Sequence, residues 1–285
     1  MKINFTKMHG LGNDFILIDC RQTELDNPSE LSKKLCHRRL GIGADQILLL
    51  KDSIIADFKM RIFNADGSEV EMCGNGIRCL AKYIWDKSLS DKKILNIETL
   101  AGIMRPEKKG KLVKVDMGEP IFESKKIPVA INSKKKKSKK KTQKPEAIID
   151  FPLKIENKEF KITCLSMGNP HTIIFVDDLS NFPVTYYGPW IENNNIFPKR
   201  TNVEFIQVIN PSEINMRVWE RGSGETMACG TGASAAAVAS SIKGLTGRNV
   251  TIHLLGGDLF IDWAGDNHVY MTGPAVEVFE GIIEK

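Results

Sequence analysis

The feature that most constrains the fold of this 285-residue chain is an internal repeat with a constant offset of 156 residues. The segment MRIFNADGSEVEMCGNG at 60–76 matches MRVWERGSGETMACGTG at 216–232, so that Cys73 falls on Cys229. The same offset places Gly12-Asn13 on Gly168-Asn169, Gln46 on Asn202 and Asn64 on Glu220. A register that holds over this many positions predicts two copies of one structural unit.

Both copies show the same order of predicted elements. A helix is predicted after each Cys-Gly-x-Gly: the first has an apolar stripe that begins at Ile77, and the second, 232–242, is almost entirely Ala, Ser and Val. The latter composition is typical of a helix packed on every side. Weaker signals indicate helices at 28–39 and 185–193. Runs rich in Ile, Val, Phe and Leu predict strands at 2–8, 14–20, 45–50, 57–63, 93–99, 111–116, 160–166, 171–177, 202–209, 213–220, 249–254 and 258–263.

The repeat therefore predicts an α+β fold of two pseudo-symmetric domains. Each domain is expected to be a mainly antiparallel, curled β-sheet around one central α-helix, with the active site in the interdomain cleft. The first domain is expected at 1–118 and the second at 119–272.

The net charge of +5 comes from one segment of the chain. Eight lysines and no acidic residue lie within 133–144, whereas the remaining residues carry 32 basic and 35 acidic groups, a net of −3. Flanking prolines, Pro128 and Pro145, suggest a solvated loop where the two copies join. Clustered lysines can bind phosphates non-specifically, but this run lacks interleaved aromatic residues or a nucleic-acid fold motif. Nucleic-acid binding is therefore expected only as a non-specific property of this Lys-rich loop.

The composition also bears on location and on the cysteines. No stretch approaches the length of about 20 apolar residues that a membrane span needs, and the N-terminus lacks the features of a secretion signal. We therefore expect a cytoplasmic protein with reduced thiols. The six cysteines show no CxxC or Cys/His spacing typical of a zinc site. Four of them are interpreted as buried small hydrophobic residues: Cys20, Cys36, Cys79 and Cys164.

Cys73 and Cys229 are different, because each immediately precedes a Gly-x-Gly that opens a helix. The free amides of a first helical turn attract anions, and a thiol at that position can have a lowered pKa. Glycine there would let a ligand approach the backbone closely. Two such thiols on opposite faces of an α-carbon suit abstraction of a proton by one and its return by the other, with inversion of configuration.

These residues also carry a family resemblance. The motifs DGSEVEMCGNGIRC (66–79) and MACGTGA (227–233) resemble the two cysteine motifs of diaminopimelate epimerase, and further matches extend over nearly the whole chain at HGLGNDF (9–15), GIGADQ (41–46), MGNPH (167–171), RTNVEF (200–205) and WERGSGET (219–226). The resemblance implies interconversion of LL- and meso-diaminopimelate for lysine and peptidoglycan synthesis, with Cys73 and Cys229 as the acid–base pair and no cofactor or metal. It further implies a homodimer, and a last strand at about 273–285 that returns to the first domain.

The resemblance also implies a set of substrate contacts: Asn13, Gln46, Asn64, Gly74, Asn75, Asn169, Asn202, Glu220, Arg221, Gly230 and Thr231. Asn side chains and Arg221 suit the second amino-acid end of diaminopimelate, and Glu220 is a suitable partner for an ammonium group. His171 and Glu220 are expected to assist catalysis by tuning protonation. One departure from the family pattern is Phe279, which stands where the family often has a tyrosine associated with dimer contacts.

Three alternatives remain at this stage. A proline or hydroxyproline racemase would share the architecture, but a single amino-acid substrate would not need Asn64, Asn202, Glu220 and Arg221. A basic nucleic-acid-binding protein would rest on the Lys-rich loop alone. A dinucleotide enzyme would need a complete GxGxxG after a strand, and neither Gly10-Leu-Gly12 nor Gly41-Ile-Gly43 extends to one.

Overall fold

A computed structural model describes residues 2–131 and 147–284. The predicted Lys-rich loop at 133–144 lies outside the described residues. The chain divides into two compact units, the first comprising Met1–Asp116 and Thr272–Lys285 and the second Met117–Met271. The described residues form four helices, α1 (Pro28–Cys36), α2 (Gly74–Asp86), α3 (Val184–Glu192) and α4 (Gly230–Ile242).

The first unit is built on one sheet in the order β19-β1-β2-β3-β4-β6-β7, with β5 paired to β4. A short hairpin, β8-β9, follows it in the chain. The C-terminal strand β19 runs antiparallel to β1, with Lys2 opposite Glu284. The strands are β1 (Lys2–Gly10), β2 (Asn13–Asp19), β3 (Gln46–Lys51), β4 (Phe58–Asn64), β5 (Glu69–Val70), β6 (Ile97–Thr99), β7 (Gly102–Met104), β8 (Glu107–Lys109), β9 (Leu112–Asp116) and β19 (Val276–Glu284).

The second unit repeats this plan in the order β10-β11-β12-β13-β14-β16-β17-β18, with β15 paired to β14. The repeat register survives folding: Phe15 lies opposite Gln46 between β2 and β3, and His171 lies opposite Asn202 between β12 and β13. The strands are β10 (Ile148–Ile155), β11 (Lys158–Ser166), β12 (Pro170–Phe175), β13 (Asn202–Asn210), β14 (Glu213–Glu220), β15 (Gly224–Thr226), β16 (Asn249–Leu254), β17 (Gly257–Trp263) and β18 (Val269–Gly273).

The predicted α+β class with a duplicated, mainly antiparallel sheet is confirmed, but the sheets are mixed. Among the described strands, β2 with β3, β4 with β6, β12 with β13, and β14 with β16 pair in parallel. A parallel pair needs a crossover connection, usually a helix. The helices α1, α2, α3 and α4 lie in these four connections, in the same order in both units.

Each sheet surrounds one helix. Helix α2 contacts β1, β2, β3, β4 and β19, and its predicted apolar stripe is buried, with Ile77, Leu80 and Ile84 fully inaccessible to solvent. Helix α4 contacts β11, β12, β13, β14, β16 and β17 and is buried on nearly every side, as its Ala, Ser and Val composition predicts. Both cysteine-capped helices are therefore held by extensive burial in the core of their own unit.

The sequence predicts no membrane-spanning segment. None of the helices in residues 2–131 and 147–284 is long and apolar enough to cross a membrane.

Candidate active site

Cys73 and Cys229 occupy equivalent places, each as the residue that caps the N-terminus of a central helix. Both have extended backbone, with φ and ψ of −138° and 120° at Cys73 and −126° and 112° at Cys229. The Cys73 Sγ accepts a hydrogen bond from the Gly76 amide at 3.4 Å. Each sulfur therefore lies at a helix end whose amides carry partial positive charge.

In the first unit, Asn13 connects the cysteine to the neighbouring polar groups. Its Oδ1 accepts hydrogen bonds from the Cys73 thiol at 3.6 Å and from Asn75 Nδ2 at 3.2 Å. Its Nδ2 donates to Asp45 Oδ2 at 2.8 Å. Because Asp45 accepts the amide proton, the carbonyl end of Asn13 is the end that faces Cys73.

An ion-pair network supports this arrangement. Arg38 donates to both Asp14 and Asp45, at 2.8 Å and 2.6 Å, and Lys7 donates to Asp14 at 2.7 Å and to the carbonyl oxygen of Gly43. Burial disfavours the charged form of Asp14, but the hydrogen bonds and charges of Arg38 and Lys7 outweigh it and lower the pKa of this carboxyl to about 2. Asp14 is therefore ionised over the whole physiological pH range, and its attraction to Arg38 and Lys7 holds the network together.

We expect Asp14→Asn to destabilise the protein by about 2 kcal/mol at neutral pH, which is the value of a shift from 3.8 to about 2 in this pKa. A carboxyl whose pKa is depressed by folding contributes stability that is complete above its unfolded pKa and is lost as the pH falls through its folded pKa. The wild-type advantage should therefore narrow between about pH 4 and pH 2. Urea unfolding across this range measures it, with the exposed Asp26→Asn as control. A pH-independent difference would contradict the assignment.

Two further predicted residues of the first unit meet at the ends of adjacent strands. Gln46 Nε2 donates to Asn64 Oδ1 at 2.7 Å, and Asn64 Nδ2 donates to Ser68 Oγ at 2.9 Å. The Gln46 Oε1 is buried and has no hydrogen-bond partner within the described part of the chain. An orphaned acceptor of this kind is the type of group that a ligand ammonium or amide satisfies.

In the second unit a chain of hydrogen bonds leads from the buried interior to Cys229. Glu204 Oε1 lies 2.7 Å from His171 Nδ1, and His171 Nε2 lies 2.9 Å from Asn169 Oδ1. Asn169 Nδ2 donates to Thr231 Oγ1 at 3.2 Å, and that hydroxyl lies 3.5 Å from the Cys229 Sγ. The structure thus brings together four predicted residues and adds Glu204.

The electrostatic surroundings of Cys229 differ from the sequence-based expectation. Burial, followed by the charges of Glu220 and Glu204, raises the pKa of the Cys229 thiol well above its ordinary value, although hydrogen bonds from Thr231 and the Gly232 amide oppose this. The expectation of a lowered pKa is therefore wrong for Cys229 in the free protein. The partial charge of about one half at a helix terminus is outweighed by desolvation and two carboxyl groups.

Glu220 lies beside this thiol. Burial raises the pKa of its carboxyl, and hydrogen bonds from Thr226 and Cys229 partly offset that effect. A cationic group that bound next to Glu220 would favour the ionised carboxylate. The position therefore suits an ammonium group.

The last predicted contacts of the second unit form a turn after β14. The Arg221 amide donates to Asn202 Oδ1 at 2.9 Å, and Asn202 Nδ2 donates to the Pro170 carbonyl at 2.9 Å. The buried Glu192 accepts from the Gly222 amide at 2.9 Å and from Trp219 Nε1 at 2.7 Å. Backbone bonds thus position Arg221, whose guanidinium donates to the Lys199 carbonyl at 3.0 Å.

The glycines at the third position of each cysteine-capped helix have a structural explanation. A Cβ at Gly76 would lie 3.2 Å from Leu48 Cδ2, and a Cβ at Gly232 would lie 2.7 Å from Glu204 Oε1. Close packing against side chains of the sheet therefore favours glycine at these two positions, most strongly at Gly232.

The four remaining cysteines are buried, as the sequence predicts. Desolvation raises the pKa of Cys20 to about 11 and those of Cys79 and Cys164 to about 12, and it also raises that of Cys36. These four thiols are protonated at physiological pH, and none of them caps the N-terminus of a helix.

Sequence reasoning did not assign a role to Asp45, Arg38 or Glu204. Asp45 belongs to the quoted GIGADQ motif, and its position directly after a glycine turn and before Gln46 was available as a signal. Glu204 is a charged residue within a strand segment, 202–206, that is otherwise Asn, Val, Phe and Ile and is buried throughout. A charge in such a run indicates a paired or functional group.

Comparison with known proteins identifies the family. The family model described as "Diaminopimelate epimerase" matches residues 5–123 and 163–278. This chain belongs to the diaminopimelate epimerase family. Diaminopimelate epimerase from Acetivibrio thermocellus is 52% identical over 288 residues, covering 99% of each chain. Diaminopimelate epimerase from Methanococcus maripaludis is 50% identical over 288 residues, covering 99% of this chain and 100% of the relative.

Solved structures extend the likeness to the fold. A phenazine biosynthesis protein of the PhzF family from Bacillus anthracis has a TM-score of 0.68 at 17% identity and covers 100% of both chains. A probable proline racemase from Agrobacterium radiobacter has a TM-score of 0.69 at 13% identity and covers 98% of this chain and 92% of that structure. At such low identity these structures show a shared fold. The relatives of about 50% identity place this chain among the epimerases and identify it as an isomerase enzyme.

Proposed function

We propose that the protein interconverts LL-diaminopimelate and meso-diaminopimelate by a two-base proton transfer between Cys73, Cys229 and the α-carbon of the substrate. The observation that carries this proposal is the pair of cysteine caps at equivalent helix ends, in a chain that belongs to the epimerase family. One thiolate removes the α-proton and becomes a thiol, and the electron pair of the broken C–H bond stays on the α-carbon. The other thiol then delivers its proton to the opposite face and becomes the thiolate.

The helix ends supply the support that this reaction needs. An amino-acid α-proton is far less acidic than a thiol, so the negative charge that develops must be stabilised. The free amides of the first turns, at Gly74 and Asn75 and at Gly230 and Thr231, are the donors proposed to bind the substrate carboxylate. Because the two thiols exchange roles, the same residues serve both directions.

The remaining polar groups fit the other parts of the substrate. Glu220 is proposed to bind the ammonium group at the reacting carbon, since a cation beside this carboxyl favours its ionised form. Arg221 is proposed to bind a carboxylate through its guanidinium. The second amino-acid end would use the amide side chains of Asn13, Gln46, Asn64, Asn169 and Asn202, and the orphaned Gln46 acceptor suits an ammonium donor.

The direct test is incubation with LL-diaminopimelate in deuterated water, with no pyridoxal phosphate or metal added. We expect formation of the meso isomer with one deuterium at the α-carbon, measured by chiral chromatography and mass spectrometry. L-Proline and trans-4-hydroxy-L-proline serve as comparison substrates, because proteins of similar fold act on them according to their names. Exchange of proline without exchange of diaminopimelate would overturn the proposal.

We also infer that the protein forms a homodimer through β19. This strand lies at the end of the sheet order in the first unit, and Val276, Val278, Phe279 and Ile282 on it are 42–63% exposed. An edge strand with exposed apolar side chains favours pairing with a second chain. Phe279 also packs edge-on against Phe5, with ring centroids 5.9 Å apart, so this aromatic contact does not need the hydroxyl group of a tyrosine.

Ile282→Glu is expected to convert the dimer to a monomer, because it places a charge in the proposed apolar interface. Sedimentation velocity measures the change. Ile54→Glu, at a fully exposed isoleucine of a loop, is the matched control and should leave the mass unchanged. A wild-type monomer, or a dimer that tolerates Ile282→Glu, would contradict the inference.

A cytoplasmic location remains a prediction, supported by the need for two reduced thiols in the proposed reaction. Non-specific nucleic-acid binding by the Lys-rich loop remains a separate prediction, since that loop lies outside the described residues.

A further inference from the structure

The buried residues near Cys73 and near Cys229 differ, although the two units have the same order of helices and strands. Applying the repeat offset, Phe15 corresponds to His171 and Leu48 to Glu204. All four side chains are fully buried. The buried pair near the Cys73 end of α2, Phe15 and Leu48, is therefore apolar. The corresponding pair near the Cys229 end of α4, His171 and Glu204, is ionisable. A buried His or Glu without a partner would be costly, and here each is the hydrogen-bond partner of the other.

The hydrogen bonds fix how many protons this pair carries. Asn169 Nδ2 donates to Thr231, so the atom 2.9 Å from His171 Nε2 is Oδ1, which can only accept. His171 Nε2 must therefore carry a proton. A second proton lies between His171 Nδ1 and Glu204 Oε1, which are 2.7 Å apart. The pair thus holds two protons, either as imidazolium with carboxylate or as neutral imidazole with carboxylic acid.

Loss of one of these protons would break the chain of hydrogen bonds. The remaining proton would stay at Nδ1, facing the Glu204 carboxylate, and His171 Nε2 would face Asn169 Oδ1 as a second acceptor. Asn169 would then have to turn its amide and present Oδ1 to Thr231, whose hydroxyl would donate to it. In the two-proton state, by contrast, Thr231 accepts from Asn169 and its own proton is free to point at the Cys229 sulfur.

The equivalent amide of the first unit is turned the other way. Asp45 accepts the Nδ2 proton of Asn13, and the carbonyl end of Asn13 accepts from the Cys73 thiol. Asn13 and Asn169 correspond in the repeat, so equivalent amides present opposite ends toward the two cysteine caps. Cys73 meets a hydrogen-bond acceptor, and Cys229 meets a hydroxyl that can donate.

We propose that Glu204 is a positioning residue, which stores with His171 the proton that holds Asn169 and Thr231 oriented toward Cys229. The effect of Glu204 on catalysis rests on the proposed epimerase function, whereas the protonation and hydrogen bonds of the pair do not. The other titratable groups that face the pair are Glu220 on β14, Cys229 at the start of α4 and Cys164 on β11. The Glu204 Oε2 has no hydrogen-bond partner among the described residues, which fits a carboxyl that shares its proton with the imidazole.

The substitution Glu204→Gln removes the ionisable carboxyl group but keeps a side chain of nearly the same size and shape. A glutamine amide can donate to His171 Nδ1, so that a neutral imidazole keeps its proton at Nε2. We expect this variant to keep most of the wild-type kcat at neutral pH, because Asn169 and Thr231 keep their orientation toward Cys229. Glu204→Leu, alone or with His171→Phe to copy the first unit, should lower kcat by about 10- to 100-fold with a smaller change in KM.

The protonation itself can be measured without activity. NMR of the protein with ¹⁵N-labelled histidine, assigned by comparison with His171→Phe, should show a proton at Nε2 of His171 in the neutral wild type and in Glu204→Gln, with Nδ1 unprotonated in the variant. Leu48→Met, at the equivalent position of the first unit, is the matched control and should change neither the spectrum nor kcat. An unprotonated Nε2 in the neutral wild type, or a kcat as low in Glu204→Gln as in Glu204→Leu, would overturn the inference. A wild type that shows the proton but does not epimerise would overturn the proposed function alone.

Discussion

Cys73→Ser and Cys229→Ser should each lower the rate of diaminopimelate interconversion by about 10²- to 10⁴-fold, the contribution of a positioned acid–base group. A serine hydroxyl is a far weaker acid than a thiol, so it neither ionises to abstract the α-proton nor returns one efficiently. Serine is nevertheless a good helix cap and can accept from the Gly76 amide as the Cys73 sulfur does, so the fold should remain. Initial rates from both isomers, with α-deuterium exchange, measure the effect.

The matched control for this pair is Cys79→Ala. Cys79 lies on the same helix as the Cys73 cap and is fully buried, with its pKa raised by desolvation to about 12. We expect it to lose some stability and to keep its kcat. If either serine variant retained the wild-type rate, the two-thiol mechanism would be wrong. A loss of activity in Cys79→Ala without loss of folding would remove the distinction between the cap and the core.

Arg78→Met should be the most destabilising of the proposed substitutions. Arg78 is completely buried within α2, where its Nε donates to the Pro274 carbonyl at 3.1 Å and its Nη1 to the Gly74 carbonyl at 3.2 Å. Methionine fills part of the space but leaves these carbonyl oxygens without those donors. We expect a loss of about 2–4 kcal/mol in the free energy of unfolding, since a buried carbonyl left without its donor costs about 1–3 kcal/mol. Because Gly74 follows Cys73 directly, kcat should fall as well.

Urea unfolding with a refolding check measures this loss. Arg105→Met is the control, since Arg105 is exposed and donates to the Asn96 side chain at the surface. It should change stability by no more than about 0.5 kcal/mol. Arg78→Lys keeps the positive charge without the planar set of donors and is expected to fall between the two. Equal stabilities of Arg78→Met and the control would show that the buried guanidinium is not needed.

The helices and strands that could be predicted from the sequence are those marked by a local pattern of apolar residues. The helix after Cys73 is visible because Ile77, Leu80 and Ile84 repeat at helical spacing, and the long strands are visible as runs of Ile, Val, Leu and Phe. Glu107–Lys109 and Gly224–Thr226 were missed because short strands of polar residues carry no such pattern. Ile148–Ile155 was missed too, since it contains Pro152, which argues against a strand.

Non-local properties were beyond the sequence. The parallel pairing of β2 with β3 depends on which strands meet after a helical crossover, and a strand pattern does not encode its neighbour. The repeat brought Asn13 and Asn169 into the candidate site, but it could not reveal Glu204, because Leu48 occupies the equivalent position. The raised pKa of Cys229 arises from burial and from carboxyl groups on other strands, which a helix-cap argument leaves out.

The pairing of β19 with β1 has a consequence for synthesis of the chain. The strand β1 is synthesised long before its partner β19, so the sheet of the first unit stays incomplete until about residue 284 has been made. Arg78 likewise lacks its Pro274 partner until residue 274 has been synthesised. The second unit, which is continuous in sequence, can fold earlier. We infer that a nascent chain carries an unfinished sheet with an open edge at β1 until β19 has been synthesised, and that closing this edge is a slow, long-range step.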